Sequence, residues 1–244
     1  MPEIALRFAS VAKNYGAAAA LHDVSFEVAS GEFFGLVGAN GAGKTTLLKC
    51  LLDFCATDRG AIEVFGTSHR LTSARRRLAF LPERFNPPYY LTGEDFIKYV
   101  LAMQNANHDR GEAERMFCAL DLDLAALDLP VRNYSKGMTQ KLGLAACLLS
   151  GKDLYVLDEP TSGLDPKARA LLKSKLRELK QTARTVFFTS HALADVAEVC
   201  DRMAVMHAGS LRFAGTPAHL CRQFASDDLE QAFLRCIEAA PRPA

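Results

Sequence analysis

The chain has no tryptophan, and no two of its seven cysteines stand in C-x-x-C spacing. The thiols (Cys50, Cys55, Cys118, Cys147, Cys200, Cys221, Cys236) are odd in number and lie mostly in apolar, helix-like contexts. That pattern argues against a disulfide framework or a zinc site and for free thiols in a reducing compartment. An excess of either charge is also missing: 29 Lys+Arg stand against 28 Asp+Glu, a formal net charge of +1. Such a balance exerts no general pull toward nucleic acid or anionic lipid, and no nucleic-acid partner is expected. The basic run Arg75-Arg76-Arg77 has no interleaved aromatics and reads as a solvated helix end. No apolar run approaches the ~18–20 residues of a membrane-spanning helix; the longest, near Leu142 to Leu149, is interrupted by Gly143. The opening Met1-Pro2-Glu3-Ile4 lacks the basic and apolar regions of a secretion signal, so a soluble, cytoplasmic chain is expected. Internal repeats are absent, as is low complexity beyond Ala17 to Ala20.

What remains is an ordinary globular composition. With 244 residues, 49% of them apolar and 23% charged, the chain is long enough to bury its own core, which excludes disorder as a description of the whole. Ile4 to Phe8, Val24 to Val28, Ala61 to Phe65 and Leu78 to Leu81 read as strands. Phe33 to Val37 is continuously apolar, as a strand buried on both faces of a parallel sheet must be. The stretch from Gly93 to Leu149 changes to helical spacing, with loops rich in Asn, Pro and Gly such as Asn86-Pro87-Pro88. Alternation then returns: strand Leu154 to Leu157, helix Pro166 to Lys180, strand Thr185 to Phe188, helix Ala192 to Val199, strand Met203 to Met206. This order predicts an α/β fold with a mainly parallel sheet, into which the helical middle is inserted. From Ser226 onward one short helix and a Pro-rich end are expected.

The strongest chemical signal is Gly38-Ala39-Asn40-Gly41-Ala42-Gly43-Lys44-Thr45, followed by Thr46, which fits G-x-x-x-x-G-K-[ST] between a buried strand and a helix. A chance match in a chain this long is on the order of 1%. Glycines let the backbone curl so that successive N–H groups face one anion, and the next helix adds its positive end. Lys44 supplies a point charge for the β- and γ-phosphates, and the Thr45 hydroxyl is a Mg²⁺ ligand. A second motif, Leu154-Tyr155-Val156-Leu157-Asp158-Glu159, places two carboxylates at the edge of the sheet where open α/β folds bind ligands. Asp158 is then a Mg²⁺ partner, and Glu159 a base or positioner of the attacking water. Tyr134-Ser135-Lys136-Gly137-Met138 opens another helix, with Ser135 a good N-cap. Thr189-Ser190-His191 brings an imidazole to the same sheet edge.

These segments, with Ser162-Gly163-Leu164-Asp165, occur in the order found in ABC-type ATP-binding subunits, and the chain resembles that family from about Ile4 to Leu220. The resemblance implies a P-loop NTPase core with an N-terminal antiparallel β part and a helical subdomain at about 84–150. It places a nucleotide-binding domain over 1–225 and a helical tail over 226–244. It implies ATP and Mg²⁺ as cofactors and a separate transmembrane permease, with coupling expected near Glu83 to Thr92, where Pro87-Pro88-Tyr89-Tyr90 is either exposed docking surface or core packing under a loop. It further implies a second nucleotide-binding subunit and a place on the cytoplasmic face of the membrane. Residue by residue, Tyr15 resembles the aromatic that stacks on adenine. Ser135 and Gly137 resemble the signature that caps the γ-phosphate held by the opposite subunit. Asp165 resembles the link between the two sites, and His191 the switch histidine. Two positions depart from the family pattern. Met138 replaces a glutamine of the signature, and Glu83 stands where a Mg²⁺-contacting glutamine is usual, which makes it a third metal candidate. Both variants resemble exporter-type subunits. A soluble ABC-type ATPase for iron–sulfur or other assembly is the alternative reading. A kinase or GTPase fits poorly, since no N-K-x-D element is found.

Overall fold

A computed structural model describes residues 3–239. Among the described residues ten strands form two sheets. The first carries β1 (Ile4–Tyr15), β2 (Ala18–Ala29), β4 (Arg59–Val64) and β5 (Thr67–Ser68) in the order β2-β1-β4-β5, all antiparallel. The second carries β3 (Phe33–Val37), β6 (Leu78–Leu81), β7 (Leu154–Asp158), β8 (Thr185–Ser190), β9 (Arg202–His207) and β10 (Ser210–Gly215) in the order β10-β9-β3-β8-β7-β6. Its pairings are parallel except for the β9–β10 hairpin. The expected mixed α/β architecture, parallel core plus antiparallel part, is present.

Strand periodicity explains how the two sheets share one interior. Along β3 the buried side chains alternate: Phe34 and Leu36 face the first sheet, whereas Phe33 and Val37 face the helical side. β8 repeats this, with Phe187 on the first side and Val186 and Phe188 on the other. Between the sheets Phe26 stacks on Phe8 and Phe34 at ring-centroid separations of 4.6 and 5.4 Å, and Phe187 packs against all three. Helix α1 (Lys44–Leu51) is enclosed in the same layer through Leu47, Leu48 and Leu51. Each such side chain contributes about 1.5–3 kcal/mol by burial, which anchors the turn that precedes α1.

The remaining helices are α2 (Thr72–Arg75), α3 (Gly93–Met103), α4 (Arg110–Ala119), α5 (Lys136–Leu149), α6 (Pro166–Lys180), α7 (Leu193–Val199), α8 (Pro217–Gln223) and α9 (Leu229–Glu238). Three of them, α3 to α5, fill the connection between β6 and β7, and Leu144 of α5 shares a core with Leu81 of β6 and Tyr155 of β7. β1 and β2 run well beyond their expected apolar cores, because register shifts carry polar residues such as Lys13 and Asn14 along the ladder. β5, β10 and α8 have no counterpart in the sequence reading, whereas α2 ends at Arg75, in the basic run expected to close a helix. The short tail helix is α9, and the Pro-rich end at 240–244 lies outside the described residues.

Candidate active site

The central strand β3 delivers the chain into the 38–43 turn at the carboxyl edge of the parallel sheet, flanked by β8 and β9. Gly43 closes that turn at φ +104°, and a Cβ there would stand 2.9 Å from the Ala20 carbonyl oxygen, so only glycine fits. α1 begins at the next residue with no side-chain cap and no acidic residue in its first turn. By contrast, α3, α4, α5, α6, α8 and α9 all start under a Ser, Thr or Asp cap. The first N–H groups of α1 are therefore left for an anion.

Lys44 is buried, and its Nζ donates to the carbonyl oxygens of Gly38 at 2.5 Å and Ala39 at 3.4 Å. The same ammonium lies 3.7 Å from Glu159 Oε1. On its other oxygen Glu159 meets His191, whose Nδ1 is 2.8 Å and backbone N–H 3.3 Å from Oε2. Glu159 adopts a left-handed backbone at φ +48°, which costs a non-glycine residue about 1–3 kcal/mol. The turn after β7 is held in that conformation by Thr189, whose hydroxyl accepts from the Glu159 N–H at 3.0 Å and donates to Asp158 Oδ1 at 2.6 Å. Register explains this bridge: Asp158 on β7 pairs directly with Thr189 on β8.

Burial pushes the Asp158 carboxyl above the usual carboxylate range. Its hydrogen bond from Thr189 opposes the rise, and the charges of Glu83 and Glu159 add to it. An acidic group in this state favours a nearby cation. Among the described residues no cluster of three or more His, Cys, Asp or Glu side chains could hold a metal by itself.

These groups open onto one cleft of about 480 Å³ lined by residues 39–46, Glu83, Asp158, Glu159 and His191. Its far wall comes from Ala19, Ala20 and His22 of β2 and from Ala208 and Gly209 after β9, none of which was anticipated. Gly209 is tied into the loop, its N–H donating to the Ala42 carbonyl at 3.0 Å and its own carbonyl accepting from His22 at 2.8 Å. No local signal marks these residues, since their place depends on how the β9–β10 hairpin meets β2.

Five of the expected positions do not line the cleft: Gly38, Tyr15, Ser135, Gly137 and Asp165. Tyr15, half exposed, directs its hydroxyl to Cys55 Sγ at 3.6 Å. Ser135 caps α5, accepting from the Met138 N–H at 3.2 Å, and Gly137 lies in that helix's first turn. Asp165 caps α6, accepting from the Ala168 N–H at 2.9 Å. A separate groove holds Tyr134, Lys136, Thr139 and Gln140 beside Ser162 and Gly163, with Glu83 on its rim as well as on the cleft's.

Comparison with known proteins agrees with this geometry. Residues 21–162 match the family model described as ABC transporter. An uncharacterized ABC transporter ATP-binding protein of Synechocystis is 38% identical over 82% of this chain, which spans only 57% of that relative's length. Nod factor export ATP-binding protein I of Paraburkholderia xenovorans is 35% identical over 96% of this chain and 78% of its own. Among solved structures, an ATP binding subunit of an ABC transporter superposes with a TM-score of 0.86 at 30% identity, covering 95% of this chain and 98% of that one. A bacterial Atm1-family ABC exporter with ATP bound gives 0.77 at 25% identity, covering 98% of this chain and 43% of that one.

Proposed function

Because this chain belongs to the ABC transporter family of ATP-binding proteins, we propose that it hydrolyses Mg·ATP in the Lys44 cleft to drive a separate transmembrane permease. The observation that carries the proposal is the meeting of Lys44, Asp158, Glu159 and His191 at the open, uncapped start of α1. The uncapped N–H groups and the loop amides bind the phosphates, and Lys44 exchanges its carbonyl contacts for β- and γ-phosphate oxygens. Glu159, buried and braced by Thr189, accepts the proton of a water aligned on the γ-phosphate. His191 orients the Glu159 carboxylate and contacts the γ-phosphate.

The residues present fit Mg²⁺. The Thr45 hydroxyl and the Asp158 and Glu83 carboxylates are hard oxygen donors, too few to hold the ion without phosphate oxygens, which is the usual manner of Mg²⁺ at nucleotides. When bound, the ion neutralises phosphate charge that builds toward the transition state.

Tyr15 stacks on adenine from outside the phosphate cleft. Ser135, Gly137 and Asp165, which do not line the Lys44 cleft, serve the nucleotide of a second subunit, so that two chains close over two ATP molecules. The direction is export, in keeping with the names of the Nod factor export relatives and of the Atm1-family exporter. No described helix is long and apolar enough to cross a membrane, so the pathway belongs to the permease, and this chain docks on its cytoplasmic side.

The test is steady-state ATP hydrolysis by wild type and Glu159→Gln, with nucleotide binding followed by calorimetry. Loss of turnover in the variant with binding retained is expected. Equal turnover in both proteins would contradict the proposal.

A further inference from the structure

The end of α1 brings two cysteines together. The helix closes in a Schellman motif: the Phe54 N–H donates to the Lys49 carbonyl at 2.8 Å and the Asp53 N–H to that of Cys50 at 3.1 Å, with Asp53 left-handed at φ +61°. Arg75 holds the Asp53 carboxylate at 3.1 Å, fixing the reversal from outside. The chain therefore folds back over the last turn of α1, and Cys55 Sγ comes to 3.5 Å from Cys50 Sγ. Cys50 is fully buried and Cys55 partly exposed, so the pair has one side open to solvent. The Tyr15 hydroxyl contacts Cys55 Sγ at 3.6 Å. Lys13, paired with Asp58 at 3.1 Å, stands over the Tyr15 ring at 5.5 Å, and its charge favours ionised sulfur at Cys50. A soft-metal site would need a further ligand, and no cluster of three such side chains occurs among the described residues.

We propose that Cys50 and Cys55 are a reversible oxidation site, at which a peroxide converts the pair to a disulfide and weakens nucleotide binding by drawing the Cys55 sulfur away from the Tyr15 hydroxyl. The second half of this proposal rests on Tyr15 being the adenine-stacking residue; the first half does not.

The chemistry balances as two thiols and one hydrogen peroxide giving one disulfide and two waters. The accessible Cys55 thiolate attacks a peroxide oxygen; the S–O bond forms, the O–O bond breaks, and hydroxide leaves to take up the thiol proton as water. The Cys50 sulfur then attacks the Cys55 sulfur, the S–S bond forms, and the S–O bond breaks with loss of a second water. Sulfur is oxidised and peroxide reduced, two electrons in all. The order of events follows from burial. The Cys50 thiol is pushed up to about 12, first by burial and then by the hydrogen bond and charge of Cys55. Buried Cys50 is shielded from peroxide and so acts second, on the Cys55 sulfur beside it.

Trypsin releases Cys50 to Arg59 as one peptide that carries both thiols and no other cysteine. The full-length protein is treated with hydrogen peroxide, its free thiols are blocked with iodoacetamide, and the digest is read by mass spectrometry. The expected result is this peptide unalkylated and lighter by two hydrogens, restored by dithiothreitol. In parallel, the affinity of a fluorescent ATP analogue should fall about three- to tenfold on oxidation, the worth of one hydrogen bond. Cys55→Ser should bind the analogue and lose the peroxide response. A peptide that stays doubly alkylated overturns the site, and a disulfide without change in affinity overturns the regulation. Failure of the reduced protein to bind the analogue would instead strike at the nucleotide reading, while the peptide map still decides the disulfide.

Discussion

Thr189 holds the Asp158 carboxylate and the backbone N–H of Glu159, the two residues on which hydrolysis depends. Thr189→Val keeps the shape of the side chain and deletes both hydrogen bonds. Turnover is expected to fall about tenfold or more with KM nearly unchanged, and stability by about 1–3 kcal/mol in urea titration, because a buried donor and acceptor lose their partner. A stability loss with normal kcat would leave Thr189 a purely structural role. Glu159→Gln should lower kcat by about 10²–10⁴-fold while ATP still binds, if the carboxylate is the base. Lys44, Asp158, Glu159 and His191 were legible because each belongs to a short local pattern tied to a strand end. Thr189 stands in such a pattern too, but its role arises only when β7 and β8 pair in register. Ala20, His22 and Gly209 were not legible for the same reason.

Among the elements, two residues carry a double assignment. Ser135 caps α5 and Asp165 caps α6, which by itself accounts for their residue types. Replacing Asp165 with alanine should destabilise the fold by about 1 kcal/mol, whether or not the residue also reaches a second subunit. Asp165→Ser separates the roles. Serine preserves the cap, so stability should stay close to wild type while ATP turnover falls; unchanged turnover would reduce Asp165 to a cap. α6 was legible from Pro166 to Lys180 because proline at its start and a helical apolar stripe agree. β10 was not, since Phe213 is the one large side chain buried along it, too little to mark a strand. The antiparallel strands β1 and β2 showed only their apolar centres, and the bulged, polar ends take their structure from each other rather than from propensity.

At the level of the whole molecule, an aromatic pair ahead of α3 lies open to solvent. Tyr89 and Tyr90 are 66% and 67% exposed and contact each other edge to face at 5.7 Å. That exposure removes core packing as the reason for their presence and favours a docking surface. Changing both to serine should impair assembly with the permease, measured by co-purification, and leave ATP binding within about twofold, since exposed substitutions seldom cost more than about 0.5 kcal/mol. Loss of both together would show that the loop serves folding. The phosphate cleft and the groove beside the start of α5 share only Glu83 in one chain, and closure of two chains would bring each to the other's complement. Light scattering of purified Glu159→Gln tests that closure most directly, with and without Mg·ATP. A shift from monomer to dimer on addition of Mg·ATP, abolished by Ser135→Arg in the same background, is expected; a protein that binds ATP and remains monomeric would contradict it.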